Sequence, residues 1–120
     1  MPKPGPLVLS YPQCGTCKKA LKWLDAHKVG YSLRHIVDEP PTKKELDGWI
    51  ASSGKPVRKW LNTSGASYRA IGKDAIDAMT DAQIVGALAK DGKLVRRPVV
   101  VAGGTVLVGF DEDQYVATFG

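Results

Sequence analysis

The sequence feature that most constrains the fold is a pair of cysteines placed where a strand gives way to a helix. Cys14 and Cys17 are the two cysteines of this 120-residue chain. They follow the apolar run Leu7-Val8-Leu9 and precede a segment with helical periodicity. A Cys-x-x-Cys at such a junction is typical of a thioredoxin-like redox motif. The pattern therefore predicts an α/β fold with the first cysteine at the start of a helix.

The same position predicts an activated thiol at Cys14. Unpaired backbone N–H groups and the positive end of the helix dipole favour a thiolate there, and Lys18 and Lys19 add positive charge nearby. Such surroundings can lower a cysteine pKa from about 8.5 to between roughly 3.5 and 7.5. Cys17, one helical turn on, is placed to attack a sulfur adduct formed on Cys14. We therefore expect a nucleophile with a resolving partner.

Two other interpretations of the cysteine pair are weaker. A disulfide that closes so short a loop removes little chain entropy from the unfolded state, so it would stabilise the fold only weakly. A structural zinc ion requires four ligands, and the two histidines, His27 and His35, stand alone in the sequence. We therefore predict redox chemistry and no metal site.

Composition predicts one soluble domain that covers residues 1–120. The chain is 43% apolar and 24% charged, and it contains no apolar run near the length of a membrane span. The first residues lack the hydrophobic region of a secretory signal, which predicts a cytoplasmic protein without membrane contact. The net charge is +5, but lysines and arginines are spread in ones and twos. We expect no direct nucleic-acid binding and a weak preference for anionic substrates or acidic protein partners.

Hydrophobic periodicity predicts a mixed four-stranded sheet with a helical insertion over about residues 42–92. The predicted elements are a strand Leu7–Tyr11, a helix Gly15–Lys28, a strand Tyr31–Val37, a helix from Thr42 to Ser52, a short helix after Pro56 carrying Val57, Trp60 and Leu61, a helical piece Tyr68–Ile71, a helix Thr80–Lys90, a hairpin of Val99–Val101 and Thr105–Val108, and a last helix capped by Asp111 that bears Tyr115, Val116 and Phe119. Alternation places Leu33 on the buried face of the second strand. The order of elements is that of a thioredoxin-like framework.

Three separated segments resemble the arsenate reductase-like (ArsC/Spx) family, and most closely its small Spx-related branch. The segments are Tyr11–Ala20, Trp60–Gly65 with Tyr68-Arg69, and Leu94–Val101 with Val108-Gly109-Phe110. They occur in the family's order and span nearly the whole chain.

The resemblance implies roles for residues outside the cysteine pair. In arsenate reductases of this family, the cysteine at the position of Cys14 attacks arsenate, and arginines at positions matching Arg97 and Arg58 hold the oxyanion in bidentate fashion. Pro98 falls where thioredoxin-like folds place a cis-proline facing the active cysteine. The expected catalytic residues are Cys14, Cys17, Arg97 and Arg58, and the expected substrate-binding residues are Gly15, Thr16 and Pro98.

Two functions follow from the resemblance and stay open. The first is a thiol-disulfide oxidoreductase resembling glutaredoxin- or thioredoxin-coupled arsenate reductases, with a redox-active Cys14–Cys17 disulfide. It would act as a monomer on a small oxyanion, without a bound cofactor, and would be reduced by thioredoxin, glutaredoxin or glutathione. The second is an Spx-like redox-sensing transcriptional regulator that binds the C-terminal domain of the RNA polymerase α-subunit. Ser10 stands where glutaredoxin-coupled arsenate reductases have a histidine, and Val108-Gly109 stands where they have a third arginine.

Overall fold

The computed structural model describes residues 6–119, which divide into two compact units. The first unit is built from the described parts of 1–35 and 97–120, and the second unit is Ile36–Arg96. The strands are β1 (Leu7–Ser10), β2 (Ser32–His35), β3 (Val99–Ala102) and β4 (Thr105–Val108), and the helices are α1 (Gly15–Ala26), α2 (Lys43–Ser53), α3 (Ala66–Ile71), α4 (Lys73–Asp77), α5 (Asp81–Lys90) and α6 (Glu112–Phe119).

The four strands form one mixed sheet in the order β2-β1-β3-β4. β1 runs parallel to β2 and antiparallel to β3, and β3 and β4 form an antiparallel hairpin. In the hairpin turn Gly103 adopts φ +60°, a conformation that costs glycine little and other residues more. The predicted α/β architecture, thioredoxin-like with a mixed four-stranded sheet, is confirmed.

The core of the first unit fixes α1 and α6 on one face of this sheet. The buried apolar residues of this cluster are Val8, Val100 and Leu107 from the strands, Ala20, Trp23 and Leu24 from α1, and Tyr115 from α6. The Trp23 and Tyr115 rings meet edge to face with their centroids 5.5 Å apart. Aromatic rings bury large apolar areas, so this contact anchors both helices. The start of α1 is thereby held just beyond the end of β1.

The second strand and the first helix differ in part from the prediction. Leu33 was placed on a buried face but is 60% exposed, because β2 lies at the edge of the sheet. Of the residues predicted to lie on the last helix, Tyr115 is buried and Val116 is 50% exposed. The first helix also ends at Ala26 rather than at Lys28, where the backbone turns to φ +57°.

The second unit contains α2–α5 and two short 3₁₀ segments. Capping boxes start α2 and α5: the Thr42 side chain accepts the N–H of Glu45 at 3.1 Å, and the Thr80 side chain accepts that of Gln83 at 3.2 Å. These bonds satisfy backbone donors that a helix start leaves unpaired.

The short helix predicted after Pro56 is instead the 3₁₀ segment Val57–Trp60. Leu61, predicted to lie within that helix, forms an isolated antiparallel bridge with Val95. The chain therefore leaves the helical path at Leu61 to pair its backbone with another segment of the same unit. The short helix α4 was not predicted. None of the helices within 6–119 is both long and apolar enough to cross a membrane.

Candidate active site

Cys14 occupies the N-cap position of α1. Its backbone N–H donates to the carbonyl of Tyr11 at 3.0 Å, which closes the turn between β1 and the helix. Its backbone is extended, with φ −90° and ψ 117°, and its Sγ accepts the backbone N–H of Cys17 at 3.3 Å. The sulfur therefore takes the place of a capping oxygen, where an unpaired N–H and the helix dipole both favour negative charge.

The groups around Cys14 lower the pKa of its thiol below the ordinary value. Burial by itself raises this pKa, but it is outweighed by hydrogen bonds from the side chain and backbone of Cys17 and by a hydrogen bond and positive charge from Arg97. The Cys14 side chain is only half-buried, so a reactant can reach it. The site therefore favours a Cys14 thiolate that a reactant can reach.

Cys17 differs from Cys14 in both burial and pKa. Its side chain is 1% exposed, and burial raises the pKa of its thiol to about 12, with the hydrogen bond to Cys14 and the negative charge of Cys14 adding to the effect. The backbone of Tyr11 and the charge of Arg97 oppose this shift and do not overcome it. Both thiols are free. Cys17 is thus a protonated hydrogen-bond donor to the Cys14 sulfur.

Arg97, which lies just before β3, contacts the ring of Tyr11, and Pro98 follows it. The guanidinium carbon of Arg97 lies 5.2 Å from the centre of the Tyr11 ring. The Arg97-Pro98 peptide bond is cis, as the resemblance implied, and Pro98 is buried. The Pro98 carbonyl accepts the N–H of Gly109 at 2.8 Å, which ties the start of β3 to the end of β4.

The remaining predicted site residues have different surroundings. Gly15 and Thr16 are exposed in the first turn of α1, and a Cβ added at Gly15 would meet nothing within 4 Å. Arg58 lies in the second unit, where its guanidinium donates to the carbonyls of Ile76 at 3.2 Å and Met79 at 2.8 Å. These bonds satisfy carbonyls at the end of α4, where a cation is favourable. The substrate-binding roles of Gly15, Thr16 and Pro98 and the catalytic role of Arg58 stay predictions.

Sequence reasoning assigned no role to Tyr11, although the ring touches two side chains of the first unit. The ring lies against Arg97, and it also meets the His35 ring edge to face at a centroid distance of 5.6 Å. The available signal was its position, directly after a strand and three residues before Cys14. Within residues 6–119 no group of three or more histidine, cysteine or acidic side chains could hold a metal ion.

Comparison with known protein sequences places the chain among related bacterial proteins. A model of the ArsC family matches residues 9–118. The chain is 42% identical over 106 residues to the uncharacterized protein YusI of Bacillus subtilis (strain 168), a match that covers 88% of this chain and 90% of YusI. It is 25% identical over 103 residues to the global transcriptional regulator Spx of Streptococcus pneumoniae, covering 86% of this chain and 77% of that protein.

Comparison with solved structures gives the same grouping. An ArsC family related protein from Bacteroides fragilis matches with a TM-score of 0.91 and 43% identity, covering 95% of this chain and 97% of that one. A possible arsenate reductase from Streptococcus mutans matches with a TM-score of 0.84 and 31% identity, covering 95% and 99%. The similar proteins therefore include both reductase-like proteins and a regulator.

Proposed function

Because the chain belongs to the ArsC family, we propose that it is a thiol-disulfide oxidoreductase in which Cys14 is the nucleophile and Cys17 the resolving thiol. The observation that supports this proposal most directly is the Cys14 sulfur at the start of α1, 3.3 Å from the backbone nitrogen of Cys17. A helix start and an adjacent guanidinium are the surroundings that activate cysteine nucleophiles.

The first step is attack by the Cys14 thiolate. On a disulfide substrate a new S–S bond forms to Cys14 while the substrate S–S bond breaks, and the second substrate sulfur leaves as a thiolate. On arsenate the sulfur bonds to arsenic, and one arsenate oxygen leaves as water after it takes up protons. Arg97 would hold an oxyanion with paired N–H groups, and the backbone N–H groups of the exposed residues Gly15 and Thr16 would share its charge.

The second step uses Cys17. While Cys14 is an anion, burial, the hydrogen bond to Cys14 and the charge of Cys14 keep the pKa of Cys17 high. Once the Cys14 sulfur is bonded to substrate its negative charge is gone, so that contribution to the raised pKa of Cys17 disappears. Cys17 then gives its proton to water and attacks Cys14 Sγ. A Cys14–Cys17 disulfide forms, the bond from Cys14 to substrate breaks, and the electron pair stays on the departing thiolate or, with arsenate, on arsenic as arsenite.

The cycle closes when an external thiol reductant restores both cysteines. Thioredoxin, glutaredoxin or glutathione supplies two electrons by thiol-disulfide exchange, and the protein needs no bound cofactor in this scheme. Pro98 shapes the wall of the site. The role of Arg58 rests on the resemblance alone, and its guanidinium donates to the carbonyls of Ile76 and Met79.

The proposal is tested by turnover with defined reductants. The protein is mixed with thioredoxin, thioredoxin reductase and NADPH, and arsenate or hydroxyethyl disulfide is added while NADPH loss is recorded; a parallel series uses glutaredoxin and glutathione. We expect turnover by the wild type with at least one substrate and none by Cys14→Ser. Cys17→Ser should accumulate a covalent adduct on Cys14, seen by mass spectrometry. Full activity in Cys14→Ser would refute the assignment.

A second function is supported by the match to the global transcriptional regulator Spx. In that case the same cysteine pair would be a redox switch, and the protein would bind the C-terminal domain of the RNA polymerase α-subunit. A pull-down with that domain, using the oxidised and the reduced protein, separates the two functions. Binding that depends on the Cys14–Cys17 disulfide, together with no turnover in the coupled assays, would favour the regulator.

A further inference from the structure

The Tyr11 ring contacts two side chains, one from β2 and one from the segment just before β3. On one side is the guanidinium of Arg97, 5.2 Å from the ring centre. On another is the His35 ring, edge to face at an interplanar angle of 89°. His35 is kept at this place because β2 pairs with β1 in a register that sets His35 beside Ser10, the residue before Tyr11.

Contact with an aromatic face restricts a long, flexible side chain. Arginine has many rotamers and loses considerable conformational entropy when it is held in one of them. The electron-rich face of a tyrosine ring attracts a guanidinium within about 6 Å of the centroid, and planar stacking favours one orientation. The Tyr11 ring therefore reduces the number of positions that the Arg97 head group samples.

The backbone of Tyr11 ties this ring to the nucleophile. Its carbonyl accepts the N–H of Cys14 at 3.0 Å, so the residue that contacts Arg97 also closes the turn that presents the Cys14 sulfur. Arg97 in turn supplies a hydrogen bond and positive charge to that sulfur. A single residue thus fixes both partners of the interaction.

We propose that Tyr11 is a positioning residue of the site, whose ring, held against His35, keeps the Arg97 guanidinium beside the Cys14 sulfur. The inference rests on the proposed function in one respect: the interaction of Arg97 with Cys14 matters because Cys14 is the proposed nucleophile. Tyr11 itself touches no reacting atom in this scheme. Its effect on Cys14 passes through Arg97 and should vanish when Arg97 can no longer act.

The experiment measures how fast iodoacetamide alkylates Cys14 at a fixed pH of about 7, which lies below the ordinary thiol pKa of about 8.5. The variants are Tyr11→Leu, Tyr11→Phe, Arg97→Gln and the double variant Tyr11→Leu/Arg97→Gln, with the alkylated peptide identified by mass spectrometry. A neutral reagent is used so that its own attraction to Arg97 does not contribute. Thermal unfolding by circular dichroism checks each variant, and Tyr11→Met replaces Tyr11→Leu if the latter does not fold.

We expect Tyr11→Phe to react as the wild type does, because it keeps the ring. Tyr11→Leu should react about two- to fivefold more slowly, the range that corresponds to an exposed cation–π contact. Its rate profile against pH should move toward higher pH. Alkylation of Cys14 should be slowed at least as much in Arg97→Gln. The double variant Tyr11→Leu/Arg97→Gln should react at the same rate as Arg97→Gln. An unchanged rate in Tyr11→Leu, or the same slowing on both backgrounds, would overturn the proposal.

Nuclear magnetic resonance separates this inference from the proposed function. The Hδ protons of Arg97 should show a ring-current shift in the wild type and Tyr11→Phe that is lost in Tyr11→Leu. If Cys14 in the wild type reacts no faster than a free cysteine, the proposed function fails, but the ring-current shift still decides whether Tyr11 holds Arg97. No ring-current shift in the wild type would overturn the inference alone.

Discussion

Replacement of Gly92 by alanine should strongly destabilise the second unit. A Cβ at this position would lie 2.0 Å from the carbonyl oxygen of Ile36, 2.7 Å from its carbonyl carbon and 3.1 Å from the Cα of Val37. All three are backbone atoms, which cannot swing aside as the end of a side chain can. Forcing extra atoms into packed protein costs about 1–3 kcal/mol and occasionally more. We expect Gly92→Ala to lower the free energy of unfolding by at least about 2 kcal/mol.

Gly48→Ala is the matched control, because the same chemical change meets open space. Gly48 lies within α2, and a Cβ there would meet nothing within 4 Å. Glycine inside a helix costs about 0.5–1 kcal/mol relative to alanine, so this variant should be more stable than the wild type by about that amount. Urea unfolding followed by circular dichroism measures both. If Gly92→Ala stays within about 0.5 kcal/mol of the wild type, the spread seen for neutral surface changes, the close approach to Ile36 is not a constraint.

The remaining predictions concern a helix cap and alkaline pH. Thr42→Ala removes the acceptor for the Glu45 N–H and should lower the free energy of unfolding, measured in urea, by about 1 kcal/mol. Thr42→Ser keeps a hydroxyl acceptor and should retain most of the wild-type stability. Tyr115→Phe loses the hydrogen bond to the Gly109 carbonyl, 3.2 Å long, and should cost about 1 kcal/mol at neutral pH. Burial raises the folded-state pKa values of Tyr115 and Cys17, so the unfolded state releases these protons first. The free energy of unfolding is therefore highest below the ordinary pKa values of these two groups and falls as the pH rises toward their folded-state pKa values. Urea unfolding at pH values from about 8 to about 11 should show this fall, and the fall should be smaller in Tyr115→Phe. A free energy of unfolding that does not change over this pH range would contradict the prediction.

Local sequence signals were sufficient for much of the fold. The capping pair Thr42 and Glu45 is encoded within four residues, and the Gly103-Gly104 turn needs only its own backbone freedom. The position of Cys14 followed from the change of hydrophobic period at one junction, because a strand and a helix that are adjacent in sequence leave few arrangements. These features depend on contacts close along the chain.

The features that sequence missed depend on contacts distant along the chain. The alternation around Leu33 is the same in a central strand and in an edge strand, and only the strand order shows that β2 is at the edge. The contact between Tyr11 and Arg97 joins residues from opposite ends of the sequence, so no local pattern reports it. The role of Arg58 was predicted from the family resemblance alone, whereas the carbonyl groups that its guanidinium binds can be identified only in the structure.

The proposed chemistry depends on one asymmetry, a reactive thiolate at Cys14 beside a protonated thiol at Cys17. The most direct test is the rate of alkylation of each cysteine in the folded protein as a function of pH, resolved by mass spectrometry. We predict that Cys14 reacts rapidly at pH values below the ordinary thiol pKa, while Cys17 stays unmodified until the protein is unfolded or strongly alkaline. Equal and slow modification of both cysteines, with an ordinary thiol pH profile, would contradict the account.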